Sequence, residues 1–257
     1  MIDWAQLYLF ELITMRMTGF VMFNPIWGRN GVPGLVKAGF ILLLSVATYS
    51  AGDATDPALP ANLVGFAVPL LLELGVGFAL SFVIRLFLSL VQFGGEIVDT
   101  QMGLTMAQIY DASMQSNQTV TGSLLNILLI LNFFAENGHY TLLRILVTSG
   151  EVLPYGAASF GQSVASLMAE LFLSCIVLAV KLALPIMVAE LLGEIGMGIL
   201  MKAIPQINAF VINIELKVLI GMGLFFLFLT PINEFLLSTE VQMLASLRRV
   251  LETIGGG

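Results

Sequence analysis

The residues that could carry out nucleophilic, acid–base or metal chemistry are few and lie far apart. The 257 residues include one histidine, His139, and one cysteine, Cys175. His139 follows an apolar run in a turn-like sequence, and no Cys, Asp or Glu cluster stands near it at metal-ligand spacing. The chain has no phosphate-binding glycine loop, His-Glu-x-x-His motif or nucleophile elbow. Ser163, Ser166 and Ser174 lie in apolar sequence without a nearby base, so we expect neither catalysis nor a bound metal or cofactor.

The other ionisable residues are informative because they interrupt long apolar segments. The ones inside such segments are Glu11, Arg16, Glu73, Arg85, Glu170, Lys181, Glu190, Glu215 and Lys217. An unpaired charge in hydrocarbon costs at least ~2.5–3.5 kcal/mol, so these residues usually pair, line a wet path or form a site. Their spread over most segments indicates helices that pack mainly against protein.

The composition is that of a helical integral membrane protein, with 58% hydrophobic and 11% charged residues. A spanning helix needs roughly 20 apolar residues, and such runs recur about six times. They lie near residues 5–23, 38–51, 61–93, 122–147, 163–192 and 207–237. We therefore expect an all-α membrane protein with about six long apolar helices, the first of which is not a removable signal peptide.

The charge distribution gives no consistent topology. The net charge of −7 and the absence of a basic patch argue against nucleic acid as a partner. The loop at 29–37 is basic, the loop at 53–56 is acidic, and six alternating spans would put Arg248 and Arg249 on the acidic side. Either the span count is wrong or some segments do not cross the bilayer.

Helical spacing gathers polar residues on single faces. In a helix that continues past residue 93, one face carries Arg85, Gln92, Glu96 and Asp99. We interpret this stripe as a surface facing another protein or a channel, although a solvated helix end would suffice for Asp99. The helix near 163–192 carries Glu170 and Lys181 on one face, eleven residues apart. Such a pair could be matched across a neighbouring subunit or within the chain.

A helical hairpin is predicted around residues 205–208. Past the turn, Asn208 and Glu215 share one helical face, whereas Gln206 and Lys217 share another. A helix that is polar on two faces has neighbours on two sides. The hairpin therefore favours lateral packing in a ring or helix of similar units.

Residues 94–122 are too polar for a spanning helix and too apolar for a free linker. Irregular backbone at membrane depth is tolerated only where it is buried in protein or lines a cavity. Met102, Met106 and Met114 supply deformable apolar side chains there. Ordinary packing and a gate are both compatible with this pattern.

Four stretches together carry a family resemblance. They are Gly-Glu-Ile-Val-Asp-Thr-Gln-Met-Gly-Leu-Thr-Met-Ala at 95–107, Asn-Gly-His at 137–139, Leu-Pro-Ile at 184–186 and Pro-Gln-Ile-Asn-Ala-Phe-Val-Ile at 205–212. In this order, and over nearly the full length, they resemble the FliR family of the flagellar type III export apparatus, to which the SpaR and YscT subunits of injectisomes are related. The family commonly has Asp-Pro where this chain has Asp111-Ala112.

The resemblance implies a domain plan and partners. Residues 1–160 would be a FliP-like helical portion, and residues 161–257 a FliQ-like hairpin with a C-terminal tail. One copy would join several FliP and FliQ subunits, close to FlhB, in the gate through which unfolded flagellar proteins pass. The location implied is the bacterial inner membrane, within the flagellar basal body.

The resemblance also implies roles for particular residues. The loop at about 102–118 would plug the closed pore, and its candidate plug side chains are Met102, Met106, Ile109, Tyr110 and Met114. Polar contacts between subunits are expected at Arg85, Glu96, Glu170, Lys181, Gln206, Asn208, Glu215 and Lys217.

A secondary transporter for a small solute is the competing hypothesis. Its coupling residues would be Glu73, Arg85, Glu170 and Lys181. Such transporters place charges at the membrane midplane and often consist of repeated halves. The two halves of this sequence show no convincing repeat, which favours the export gate.

Overall fold

A computed structural model describes residues 4–29, 31–51, 59–60, 62–105, 119–203 and 209–256, with the backbone alone described at 209–214. Within these residues all regular structure is helical, in agreement with the predicted fold class. The helices are α1 (Trp4–Phe23), α2 (Gly34–Ala51), α3 (Leu63–Gln101), α4 (Val120–Ala135), α5 (Gly138–Val147), α6 (Ser149–Val152), α7 (Gln162–Ala203), α8 (Ala209–Leu227) and α9 (Leu229–Gly255).

The number of candidate membrane spans is lower than predicted. In the part of the chain that the structure describes, only α2, α3 and α7 are long and apolar enough to cross a membrane alone. The pair α4 and α5 is bent by 69°, and α9 is bent by 60° against residues 215–227 of α8, so at most five spans result if each pair counts as one. Each of the six predicted apolar runs corresponds to a helix or a bent helix pair, but two of the runs are broken and α1 does not qualify as a span.

Two of the helices are longer than a bilayer is thick. At 1.5 Å per residue, the 39 residues of α3 extend about 58 Å and the 42 residues of α7 about 63 Å, against a hydrocarbon core of about 30 Å. Both helices continue through an internal proline, Pro69 in α3 and Pro185 in α7. Each helix is therefore longer than an upright span of the hydrocarbon requires.

The chain divides into two compact units that are interleaved in sequence. The first unit comprises residues 1–87, 136–173 and 241–257, and the second comprises residues 88–135 and 174–240. The predicted division at residue 160 concerns resemblance to FliP and FliQ, and it stays a prediction.

In the first unit α1 and α3 run parallel and approach each other closely. Tyr8 lies against Phe66, with ring centroids 5.3 Å apart, and the Ser81 hydroxyl donates to the carbonyl of Phe20 at 2.6 Å. A Cβ atom added to Gly77 would overlap the backbone of α1. Small residues allow such approach in packed membrane helices.

Replacing Gly77 by valine should therefore separate α1 from α3. We expect a loss of about 3 kcal/mol or more, because backbone atoms rather than flexible side-chain ends block the added methyl groups. The matched control is Gly39→Val in α2, where a Cβ meets no atom within 4 Å. The measurement is the midpoint of heat-induced aggregation of the detergent-extracted chain. Equal midpoints for both variants would contradict the close α1–α3 contact.

Candidate functional site

A fully buried ion pair lies in the first compact unit. Arg16 of α1 donates through Nε to Oε2 of Glu73 in α3 at 2.6 Å, and both side chains have no exposed surface. The other guanidinium nitrogens are also used. Nη1 donates to the Ser149 hydroxyl at 3.0 Å, and Nη2 donates to the Leu153 carbonyl at 3.1 Å. The arginine therefore joins α1 and α3 to the connection between α6 and α7.

Glu73 holds the same connection through its second oxygen. The amide of Gly156 donates to Oε1 of Glu73 at 2.8 Å. The Tyr155 ring centroid lies 4.2 Å from the guanidinium carbon of Arg16, which is within the range of a cation–π contact.

The position of this pair along α3 explains why it is needed. From residue 63 to residue 84 the exposed side chains of α3 are all uncharged, and this stretch measures about 33 Å. Glu73 lies at its middle. Non-helical backbone at such depth must find its hydrogen-bond partners inside the protein. Arg16 and Glu73 supply those partners to Leu153 and Gly156.

Sequence reasoning singled out both charges but did not pair them. Arg16 and Glu73 are 57 residues apart, and no motif spacing links them. The only available signal was general, because a charge within an apolar segment needs a partner.

A second arrangement, in the other compact unit, holds the chain on both sides of residues 106–118. Asp99 near the end of α3 is fully buried, and its two oxygens accept from the amide of Thr121 at 3.1 and 3.3 Å. A carboxylate at a helix N-terminus satisfies an otherwise unpaired amide and complements the helix dipole. Gly95 and Gly122 lie so close that a Cβ on Gly95 would overlap the backbone of α4. The solvated helix end considered for Asp99 was therefore wrong.

The predicted plug residue Met102 is fixed rather than free. It is 1% exposed and directly follows α3. It packs at Gly221 of α8, where an added Cβ would come within 2.5 Å of the Met102 side chain and 2.7 Å of the Glu190 carboxylate. The glycine is needed for this close approach. The other candidate plug residues, Met106, Ile109, Tyr110 and Met114, lie outside the described residues.

An ion pair lies beside the same segment. Lys217 of α8 pairs with Glu194 of α7 and is only partly exposed. Its aliphatic stem lies about 4 Å from where a Cβ of Gly103 would be, and Gly103 has a positive φ of 75°. Gly103, the residue after Met102, therefore lies next to a charged side chain as well as an apolar surface.

The residues predicted to contact other subunits fall into three groups. Exposed side chains are found at Arg85, Glu96, Lys181 and Glu215. Two others already have partners in this chain, because Lys217 pairs with Glu194 and Glu170 accepts two hydrogen bonds from Arg249 at 2.9 and 3.1 Å. Gln206 and Asn208 lie outside the described residues.

The residues considered for catalysis or metal binding form no reactive constellation in the described ranges. His139 is half-buried in the first turn of α5, after Asn137 in a left-handed conformation. Cys175 is a buried free cysteine of α7. Within the described residues no three His, Cys, Asp or Glu side chains could hold a metal together.

The chain is similar to known proteins over nearly its whole length. Residues 7–241 match the family model described as bacterial export proteins, family 1. The chain is 29% identical over 220 residues to the flagellar biosynthetic protein FliR of Escherichia coli strain K12, covering 84% of this chain and 81% of the relative.

Other relatives come from flagellar and non-flagellar systems. FliR of Bacillus subtilis strain 168 is 26% identical over 216 residues, which are 81% of each chain. The Yop proteins translocation protein T of Yersinia pestis is 26% identical over 215 residues, covering 81% of this chain and 80% of the relative.

Removing one member of the buried pair should destabilise the first unit strongly. We expect Arg16→Met to cost about 3–5 kcal/mol, because it leaves the Glu73 carboxylate buried without its cation. Arg144→Met is the matched control, since Arg144 is exposed and its loss should change stability little. The measurement is heat-induced aggregation of the extracted chain. Similar midpoints for the two variants would show that the pair contributes little.

Proposed function

The chain belongs to the family of bacterial export proteins, family 1, and we propose that it is a non-enzymatic core subunit of a type III export gate. It is a multi-pass membrane protein, with three to five candidate spans among the described residues. Relatives that cover about four fifths of the chain are named for flagellar biosynthesis and for Yop protein translocation. The chain is accordingly a component of a type III export apparatus.

The observation that best supports a gating role is the anchoring of the chain at both ends of residues 106–118. Asp99 ties the end of α3 to the start of α4, and Met102 is buried at Gly221. A segment held in this way can change conformation while the helices on both sides keep their packing. These two contacts suit a plug, because a plug must open without unfolding the rest of the subunit.

We propose that the apolar side chains of this segment close the pore. Met102 is the buried plug residue at one end, and Met106, Ile109, Tyr110 and Met114 are the other candidate plug residues. A hydrophobic constriction excludes water and ions by dewetting. An unfolded substrate protein that contacts the open arrangement more favourably than the closed one shifts the population towards the open state.

The proposed partners are FliP-like, FliQ-like and FlhB-like subunits. Large apolar side chains are exposed on the helices that also carry exposed Arg85, Glu96, Lys181 and Glu215. A lipid-facing helix would avoid these charges, whereas a neighbouring subunit can supply a counter-charge. We propose one copy of this chain per complex in the bacterial inner membrane, with residues 1–160 packing as FliP does and residues 161–257 as FliQ does.

The transporter hypothesis is less well supported. It requires Glu73 and Glu170 to exchange ions or protons during transport. Glu73 is fully occupied by Arg16 and by the amide of Gly156, and Glu170 is bound by Arg249. Glu73 is also fully buried, so it has no contact with solvent.

Deleting residues 108–116 should open the gate without preventing assembly. We expect partner subunits to co-purify normally, because the anchors Asp99 and Met102 remain. We also expect the membranes to become leaky to small ions, since the apolar closure is lost. The measurement is ion conductance of membranes that contain the assembled complex.

A second variant separates the plug from general damage. Asp99→Ala should give a smaller leak, because the segment keeps its apolar residues but loses the tie to the amide of Thr121. Unchanged conductance in the 108–116 deletion would rule out the plug.

Glu215 offers a test of the subunit contacts, because it is exposed whereas Lys217 has a partner within the chain. We expect Glu215→Leu to lower the yield of co-purified partner subunits about tenfold, as for the loss of one charged hydrogen bond. Glu252→Leu, which removes an exposed carboxylate of α9, is the control and should leave the yield unchanged. Equal yields for both variants would count against a contact at Glu215.

A further inference from the structure

A cavity of about 390 Å³ lies in the first compact unit where α1 and α3 begin. Three aromatic side chains, Trp4, Tyr8 and Phe66, line it together with the carboxylate of Glu11. Its remaining walls are apolar and come from Leu7, Leu59 and Pro60. The cavity thus combines aromatic surface with a single negative charge.

Helical geometry explains how these residues meet. Trp4, Tyr8 and Glu11 are spaced by four and three residues, which puts them on one face of α1. Phe66 joins them from α3, because its ring lies against Tyr8 with centroids 5.3 Å apart. Tyr8 is 5% exposed and forms the floor, whereas Trp4 is 65% exposed and stands at the rim.

Glu11 is the residue that calls for an explanation. Its side chain is half-buried, and it has no hydrogen bond or ion pair with any described residue. The described residues that line the cavity include no lysine or arginine. Placing a carboxylate among aromatic rings costs desolvation energy, which a bound cation would offset. Aromatic faces are attractive to cations as well, so all four polar and aromatic groups favour the same kind of ligand.

The position of the cavity along the helices indicates where that cation comes from. Phe66 is in the first turn of α3, at one end of the uncharged stretch 63–84 that is long enough to cross the hydrocarbon. Tyr8 lies beside it on the parallel helix α1. With residues 63–84 across the hydrocarbon, the cavity lies at the depth of lipid headgroups, where tryptophan and tyrosine are commonly found in membrane proteins.

We propose that this cavity binds the ammonium headgroup of a zwitterionic phospholipid such as phosphatidylethanolamine. The ammonium group lies against Glu11 and the faces of Trp4, Tyr8 and Phe66, and the acyl chains continue along the apolar walls. A cavity of this volume accommodates a headgroup rather than a bare metal ion. A divalent metal would also require more oxygen ligands than one carboxylate supplies. This site is independent of the proposed gate.

The test uses tryptophan fluorescence in the full-length chain. The protein has two tryptophans, so Trp27→Phe leaves Trp4 as the only one, and the new ring can still pack against Phe20 and Phe40. This variant is reconstituted into vesicles of equal amounts of phosphatidylethanolamine and phosphatidylglycerol, with brominated acyl chains on one lipid at a time. We expect quenching of Trp4 to be about fivefold more effective when phosphatidylethanolamine carries the bromine.

Adding Glu11→Gln to this variant should bring the quenching ratio close to one. Adding Glu151→Gln, an exposed carboxylate of α6, should leave the preference unchanged. In the Trp27→Phe protein the residues of the cavity are unchanged. Equal quenching by both lipids in this protein would overturn the proposal. A preference that survives Glu11→Gln would overturn it too. A zero-length carbodiimide crosslink between Glu11 and a partner lysine, together with equal quenching, would assign the cavity to a protein side chain instead.

Discussion

Buried polar groups in an apolar protein must satisfy one another, and the Arg16–Glu73 pair is where this constraint is met most fully. The two side chains are completely buried, and between them they bind the Ser149 hydroxyl, the Leu153 carbonyl and the Gly156 amide. They thereby hold non-helical backbone halfway along a helical stretch that is itself long enough to cross the hydrocarbon. Without the pair, those backbone groups would have no water to bind, and the start of α7 would lose its anchor to α1 and α3. The close α1–α3 contact at Gly77 and the cavity at the start of both helices depend on the same packing.

The same principle organises the second unit around the proposed plug. The buried carboxylate of Asp99 accepts hydrogen bonds from a backbone amide at the start of α4, and the Met102 side chain packs where Gly221 has no side chain. Both residues hold described parts of the chain next to the segment that we propose as the plug. The charges of the chain therefore divide by role. Buried Arg16, Glu73 and Asp99 bind backbone groups or each other, whereas exposed residues such as Arg85, Glu96 and Glu215 remain available to neighbouring subunits.

Much of the architecture was predictable from the sequence, and the errors of that prediction have identifiable causes. The apolar runs correspond to helices, because apolar length is a direct consequence of membrane thickness. The number of spans was overestimated, because a run of apolar residues does not reveal a bend. The run at 122–147 breaks at Asn137, whose left-handed backbone (φ of 59°) ends one helix and begins another at 69°. Helical spacing placed Asp99 on the same face of α3 as Arg85 and Glu96. It could not show that α4 covers Asp99 while Arg85 and Glu96 stay exposed.

The amino-acid sequence alone determined the class of this protein: a helical membrane protein with no catalytic motif, whose ordered stretches resemble the FliR family. These properties follow from the composition, the length of the apolar runs and local motifs, each of which can be recognised within a single segment. Only the tertiary structure decided which group each charged side chain binds. Arg16 with Glu73, Glu170 with Arg249, and Asp99 with the amide of Thr121 are separated by 57, 79 and 22 residues. An ion pair depends on distance in space, and in a helical bundle that distance is set by which faces pack together rather than by separation along the chain.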